Sequence, residues 1–298
     1  MSDRHVIETA GLWKRYDEVE ALRGLDLQVP SGSIFGFLGK NGAGKTTTIK
    51  VLLGMARPSR GEARVFGRAP SGSDGVDVRR RTAFVSDEKD LYDYMTVAEM
   101  IAFTRSFYPR WRADLEQQYL RKFDLQPGRN IKELSRGMRT KLAMLLALCR
   151  GAELLMLDEP TSGLDPAMAE EMLQALVGHV AAQESTVFFS SHQLSEVEQI
   201  ADHIAIIDRG QTVVSGALDD LRGQYRRIQL VFEGNAPEIK VHAPGTHRVR
   251  RQGRVLTVLS SSGGDAVLEE LRGYRPASFE VSPVSLKDIF LDSVKTED

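Results

Sequence analysis

The sequence predicts an α/β protein in which helices cover a parallel sheet, followed by a second, smaller domain. Two observations predict the sheet: short β-rich segments alternate with helical segments beyond residue 150, and a glycine-rich loop joins an apolar strand to a helix near residue 40. The third observation is that recognisable motifs stop after about Arg222. We therefore predict domains over residues 1–222 and 223–298.

The first part of the chain is rich in predicted strands, which are separated by Gly, Pro and Ser and lie at residues 6–9, 25–29, 33–38, 63–66 and 82–85. Helical spacing replaces this pattern between Thr96 and Arg150, and Thr96 with Glu99 has the sequence of a capping box. This stretch predicts a helical insert over about residues 88–150. Further strands are predicted at residues 154–157, 186–190 and 204–208, with a helix opened by Asp165 and Pro166.

The last part of the chain predicts a small α+β domain. Its strand-like runs lie at residues 228–232 and 254–259, and its helical patterns at residues 265–272 and about 286–294. The arginine-rich stretch 247–254 is compatible with RNA or anionic lipid. Gln252 and Gly253 between two strand-like runs instead favour a hairpin turn with solvated arginines.

Composition excludes several classes of protein. The formal net charge of −2 argues against a nucleic-acid partner, because such domains usually carry a basic excess. The longest apolar run, residues 142–149, is far shorter than the roughly 20 residues of a membrane span. The first residues lack the apolar core of a signal peptide, and the single cysteine, Cys149, cannot form an internal disulfide. We expect a cytoplasmic protein that is soluble when isolated.

A phosphate-binding motif, G-x-x-x-x-G-K-[ST], occupies residues 39–46 between a predicted strand and a predicted helix. Glycines let backbone N–H groups turn toward phosphate oxygens, and the helix N-terminus adds partial positive charge. Lys45 would reach the β- and γ-phosphates, and the Thr46 hydroxyl would ligate Mg²⁺. The candidate nucleotide contacts are Gly39, Asn41, Gly42, Gly44, Lys45, Thr46 and Thr47.

A second acidic element follows the apolar run at residues 154–157. Asp158 would hold Mg²⁺ through its water shell, and Glu159 would polarise the attacking water. Taken alone, this pattern also fits a strand that ends in two solvated acids. The phosphate loop upstream favours the catalytic interpretation.

These residues, with five further segments, resemble the ATP-binding subunits of ABC transporters. The sequence L-S-R-G-M at residues 134–138 resembles the signature L-S-G-G-Q, with Arg136 and Met138 replacing a Gly and the Gln. The other matching segments are Tyr16, residues 36–38 before the phosphate loop, residues 160–165 as the D-loop, and Ser191-His192 as the switch histidine. The resemblance covers about residues 4–220.

The resemblance implies roles for individual residues. Ser135 and Gly137 would bind the γ-phosphate of the nucleotide held by another subunit, and Asp165 would lie at the subunit boundary. Both Ser135 and Asp165 also fit plain N-caps of helices. His192 would contact the γ-phosphate, although a lone histidine after a strand is often structural. Tyr16 would stack on adenine, with Trp13 as a nearby competitor.

The segment after the predicted strand at residues 82–85 departs from the family. Where the family usually has a Gln that contacts the metal and the attacking water, this chain has Asp87, with Glu88 the close alternative. A carboxylate can approach Mg²⁺ but adds negative charge near a triphosphate. The alternative is a solvated acidic loop.

The fold class that the resemblance implies is a P-loop NTPase (ABC ATPase) core with a helical insert and a small C-terminal α+β domain. The segment at residues 107–111, the variant signature and the ending at residues 283–291 look most like ATPase subunits of ABC-2-type exporters. The implied cofactors are ATP and Mg²⁺. The implied partners are a separate transmembrane permease and a second copy or a homologous ATPase, at the cytoplasmic face of the membrane.

Two alternatives remain from the sequence. A soluble ABC-type ATPase acting on ribosomes or DNA usually has two ATPase halves or a long coiled coil. Here Lys45 and Asp158 are only 113 positions apart, and Pro109 and Pro127 break the helices between them. A regulatory subunit paired with a stronger homologue is the other alternative, because Arg136 and Asp87 depart from the usual pattern.

Overall fold

A computed structural model describes residues 5–244, 246–261 and 264–294. The chain forms two compact units, Met1–Ser215 and Gly216–Asp298. The division lies within one strand, whereas the sequence places the domain boundary after residue 222. Within the described residues, no helix is both long and apolar enough to cross a bilayer.

A six-stranded sheet forms the centre of the first unit. Its order is β5, β6, β7, β3, β8, β9, and the pairs β5–β6, β6–β7, β7–β3 and β3–β8 are parallel. The strands are β3 (Ile34–Leu38), β5 (Thr82–Val85), β6 (Leu154–Asp158), β7 (Thr186–Ser191), β8 (His203–Asp208) and β9 (Gln211–Ala217). Every residue of β3, β6 and β7 is buried, as expected for strands that are covered on both faces. The predicted α/β class is confirmed.

A three-stranded antiparallel sheet accompanies the central sheet in the same unit. It has the order β2, β1, β4, with strands β1 (His5–Tyr16), β2 (Val19–Pro30) and β4 (Arg60–Val65). Its apolar residues, including Leu12, Leu25 and Val65, share a buried core with Phe35 of β3 and Ile49 of the first helix. This core supports the segment that joins β3 to that helix.

The helices of the first unit include the predicted insert. They are α1 (Lys45–Leu52), α2 (Gly75–Arg81), α3 (Val97–Arg105), α4 (Ala113–Lys122), a 3₁₀ turn (Ile131–Glu133), α5 (Arg136–Leu148), α6 (Pro166–Gln183) and α7 (Leu194–Ile200). The predicted capping box is present at the start of α3, because Thr96 accepts from the amide of Glu99 and the Glu99 carboxylate accepts from that of Thr96. The insert therefore contains α3, α4 and α5.

The second unit has a four-stranded antiparallel sheet with the order β11, β12, β10, β13. Its strands are β10 (Tyr225–Val231), β11 (Thr246–Gln252), β12 (Val255–Ser261) and β13 (Ser278–Ser282), and its helices are α8 (Leu218–Gln224), α9 (Gly264–Arg272) and α10 (Leu286–Ser293). The predicted hairpin joins β11 to β12, with Gly253 at a positive φ of 59°. This unit has a small core of its own, which contains Ile228, Leu256 and Val267.

Candidate nucleotide-binding site

The phosphate loop lies where the sequence predicts it, between β3 and α1. Gly42 and Gly44 have positive φ angles of 80° and 111°, a conformation that side chains with a Cβ rarely adopt. A Cβ on Gly44 would also lie 2.7 Å from the carbonyl oxygen of Ala21. No side chain caps α1, and its first turn contains no acidic residue. The amides at this N-terminus are therefore available to an anion.

Lys45 is buried at the first position of α1. Its Nζ donates to the carbonyl oxygen of Gly39 at 2.8 Å and lies 3.2 Å from Oε1 of Glu159. Thr46, the next residue, is exposed, and Thr47 is half-buried. The structure thus holds the predicted lysine in an ion pair with the predicted catalytic carboxylate.

Asp158 and Glu159 stand at the carboxyl end of β6. The buried Asp158 accepts a hydrogen bond from the Ser190 hydroxyl at 2.6 Å, and the amide of Glu159 donates to the same hydroxyl oxygen at 3.0 Å. Glu159 has a φ of 48°, in the left-handed region that non-glycine residues seldom occupy. Ser190 faces Asp158 in the parallel register of β6 and β7, so it is fixed by sheet pairing. The sequence does not single out Ser190.

His192 follows β7 and contacts the same carboxylate from another side. Its Nδ1 lies 2.8 Å from Oε2 of Glu159, and its imidazole is about half exposed. Glu159 is therefore held between Lys45 through one oxygen and His192 through the other. The structure brings together three residues that the sequence predicts separately.

The segment after β5 adds a residue that the sequence reasoning missed. The Asp87 side chain is 49% exposed, whereas that of Lys89 is only 7% exposed. Lys89 Nζ lies 3.8 Å from Oδ1 of Asp87 and donates to the backbone carbonyl of Glu159 at 3.5 Å. Burial lowers the pKa of Lys89, and the Asp87 charge opposes that change. Glu88, the alternative to Asp87, is exposed.

A buried carboxylate also connects the predicted D-loop with the residue before His192. Glu196 of α7 accepts hydrogen bonds from the hydroxyls of Thr161 at 2.7 Å and Ser191 at 3.0 Å. The sequence reasoning did not identify Glu196, because a single acid in a helix has no distinguishing pattern. The contact ties together the segments that follow β6 and β7.

Ser135 and Gly137 lie at the start of α5, and Asp165 lies at the start of α6. Ser135 caps α5 by accepting from the amide of Met138 at 3.2 Å, and Asp165 caps α6 by accepting from the amides of Ala167 and Met168. Both capping residues are exposed. Within the described ranges, neither side chain bonds to the phosphate loop. Their predicted roles across a subunit boundary stay predictions.

Tyr16 at the end of β1 is 42% exposed, and the Lys14 ammonium lies 4.5 Å from its ring centroid. Trp13, the competitor for adenine, is half-buried, and its indole lies beside Gly24. The exposed Tyr16 ring is therefore the more accessible flat surface for a base. Its contact with adenine stays a prediction.

The fold and the loop between β3 and α1 define a nucleotide-binding protein of the P-loop class. A sequence model described as "ABC transporter" matches residues 22–162, and one described as "ATP-binding protein DrrA1-3-like, C-terminal domain" matches residues 216–294.

Several relatives match almost the whole chain, and the names of two of them give a transported compound. The bacitracin transport ATP-binding protein BcrA of Bacillus licheniformis is 31% identical, with 96% of each chain covered. The Nod factor export ATP-binding protein I of Rhizobium sp. (strain N33) is 30% identical, with 96% of this chain and 95% of that protein covered. A solved structure described as the ATP-binding subunit of an ABC transporter superposes with a TM-score of 0.66 at 28% identity, covering 73% of this chain and 92% of that one.

The chain belongs to the ABC transporter family, as an ATP-binding subunit. The family and the ATPase class inferred from the sequence are confirmed. Its resemblance to exporter subunits is confirmed by the C-terminal match and by the relatives.

Proposed function

We propose that this protein binds and hydrolyses ATP to power export of a substrate through a separate membrane permease, at the cytoplasmic face of the membrane. One observation carries the ATPase part: the Glu159 carboxylate lies between Lys45 of the phosphate loop and His192. The similarity to proteins named for bacitracin transport and Nod factor export supports the export part.

Nucleotide binding would use the loop and the start of α1. The uncapped amides and Lys45 offer positive charge to the phosphates, and the exposed ring of Tyr16 offers a stacking surface to adenine. Lys45 is already paired with Glu159, so a phosphate would compete with that carboxylate for the ammonium. Binding would then free one oxygen of Glu159.

The residues present also fit Mg²⁺. Within the described part of the chain, Asp158 is a buried carboxylate that forms no ion pair with a lysine, arginine or histidine. Together with the exposed hydroxyl of Thr46 it supplies the hard oxygen ligands that Mg²⁺ prefers. When bound, the ion would offset charge on the phosphate oxygens.

In turnover, Glu159 would orient the attacking water and accept its proton. His192 would hold the carboxylate through Nδ1, which leaves the rest of its half-exposed ring free to face the terminal phosphate. Ser190 fixes the backbone of Glu159 and the carboxylate of Asp158 with a single hydroxyl. All these contacts lie at the carboxyl end of the sheet. A small shift of β7 would therefore change the positions of Asp158, Glu159 and His192 together.

A second copy, or a homologous ATPase, would complete the site. Ser135, Gly137 and Asp165 would meet the nucleotide held by the other subunit, because their helix ends face outward. The permease would contact the helical insert. Its exposed aromatic cluster of Tyr92, Tyr94, Phe103 and Phe107, with ring centroids 5.1–5.6 Å apart, is a suitable apolar contact.

The first experiment replaces Glu159 with Gln. ATP affinity should stay equal or rise, because Lys45 loses the carboxylate with which a phosphate competes. Phosphate release should fall by about 10²–10⁴-fold through loss of the base. ATP binding by equilibrium dialysis and phosphate release by a colorimetric assay measure the two effects separately.

The control is the exposed Glu238→Gln, which should leave both quantities unchanged. Full-rate hydrolysis by Glu159→Gln would remove Glu159 from the mechanism. A folded wild-type protein that neither binds ATP nor releases phosphate would contradict the proposed function as a whole.

A further inference from the structure

The Lys89 side chain is unusually buried for a lysine that follows a strand end. Lysine ammonium groups seldom lose contact with water unless they are paired. Here the Nζ has two partners, the Asp87 carboxylate at 3.8 Å and the Glu159 carbonyl oxygen at 3.5 Å. Lys89 therefore joins the segment after β5 to the residue that pairs with Lys45.

Without Lys89, the negative charges around this position would outnumber the positive ones. The charges that act on Lys89 are the carboxylates of Asp87, Asp158 and Glu159 and the guanidinium of Arg136. Lys45 and His192 both contact Glu159, whereas Asp87 has its ion pair with Lys89. A nucleotide triphosphate brings further negative charge to the same place. An Asp87 carboxylate without a cation beside it would repel that ligand.

We propose that Lys89 is a positioning residue of the nucleotide site, which offsets the charge of Asp87 and holds the backbone of Glu159. This inference rests on the proposed function, because it assigns Lys89 a role in admitting the phosphates.

The contact with the Glu159 carbonyl supports the second half of the inference. Glu159 has a left-handed backbone with a φ of 48°, so its side-chain direction depends on what fixes the main chain. The Ser190 hydroxyl fixes the amide and Lys89 the carbonyl of the same residue. Together they aim the carboxylate at Lys45 and His192.

A double-mutant cycle between Lys89 and Asp87 tests the inference through ATP affinity in EDTA, where neither metal binding nor turnover contributes. Lys89→Met should weaken ATP binding about tenfold, the size expected for one unit charge acting over roughly 10 Å near a protein surface. Asp87→Asn should leave ATP binding equal or tighter. The double variant Asp87→Asn/Lys89→Met should return to within about threefold of wild type, because the repelling charge is gone.

Two further variants separate charge from packing. Lys89→Arg keeps the charge and should keep most of the affinity, while Lys122→Met, which changes an exposed lysine of α4, should have no effect. Urea unfolding checks that each variant folds. Should Lys89→Met fail to fold, Lys89→Gln replaces it in the same cycle, since Gln keeps a polar head in the buried position.

The outcomes distinguish this inference from the proposed function. The role of Lys89 is overturned if Lys89→Met binds ATP as wild type does, or if the double variant binds ATP as weakly as Lys89→Met alone. In either case, ATP binding by the wild-type protein leaves the proposed function intact. A folded wild-type protein without affinity for ATP overturns both.

Discussion

Two helix N-termini of the first unit, those of α1 and α5, have a similar charge but differ in how they are capped. Neither has an acidic residue in its first turn. α1 starts after Gly44, which has a φ of 111° and no side chain to offer. α5 starts after Ser135, whose hydroxyl already accepts from the amide of Met138.

The surroundings of the two helix ends differ as well. The α1 end encloses Lys45, which reaches Glu159 in the same chain. At the α5 end, the Arg136 guanidinium lies over Gly163, and Gly137 packs on Met168, while Ser135 stays exposed. The α1 end therefore pairs its lysine with a carboxylate of the same chain, whereas at the α5 end no carboxylate of the described residues pairs with Arg136. Under the proposed function, the α5 end would meet the nucleotide of a second subunit.

The largest expected effect is at the α1 end. Lys45→Ala removes the cation of the phosphate loop and leaves Oε1 of Glu159 without its ammonium partner, so ATP affinity should fall by about 30-fold or more. Hydrolysis should fall with it. Equilibrium dialysis with ATP measures the loss. The matched control is Lys50→Ala, an exposed lysine in the last turn of the same helix, and an equal loss there would mean that α1 contributes only bulk charge.

A smaller effect on the isolated chain is expected at the α5 end. Ser135→Arg should leave ATP binding to one chain unchanged but abolish dimer formation by Glu159→Gln protein with ATP and Mg²⁺, because a long side chain would block the approach of a second nucleotide site. Light scattering measures the mass, and Ser73→Arg, at another exposed serine, is the control. If Ser135→Arg weakens ATP binding to the monomer, the two helix ends do not differ as described.

The smallest effects are on stability, and they should differ between the N-termini of α1 and α5. Gly44→Ala forces a Cβ into a φ of 111° and against the backbone oxygen of Ala21, so unfolding free energy should fall by about 2 kcal/mol or more. Gly137→Ala should change it by less than about 1 kcal/mol, because the added Cβ would meet the flexible Met168 side chain, which can move aside. Urea unfolding of both variants gives the comparison, and equal losses would contradict it.

Local signals predict local structure well in this chain. The strand β5 at Thr82–Val85 and the start of α3 at Thr96 agree with the prediction because a β-rich run and a capping box depend on neighbouring residues alone. The first strand is predicted at residues 6–9 but extends over His5–Tyr16, with several register shifts. Pairing with β4 reaches Trp13, and pairing with β2 alone continues through the charged end to Tyr16. The edge strand β13 is not predicted, because its side chains are mostly exposed and its alternation of apolar and polar residues covers only five positions.

The sequence by itself determined Lys45 and Glu159 as candidate site residues through local motifs, and it indicated His192 through the family resemblance. Only the tertiary structure decided that these three meet, because β3, β6 and β7 are parallel neighbours whose carboxyl ends reach the same edge of the sheet. That arrangement also brings in Ser190 through the strand register and Lys89 through the segment after β5. Their contacts join residues that are far apart in the chain, so no pattern of neighbouring residues predicts them.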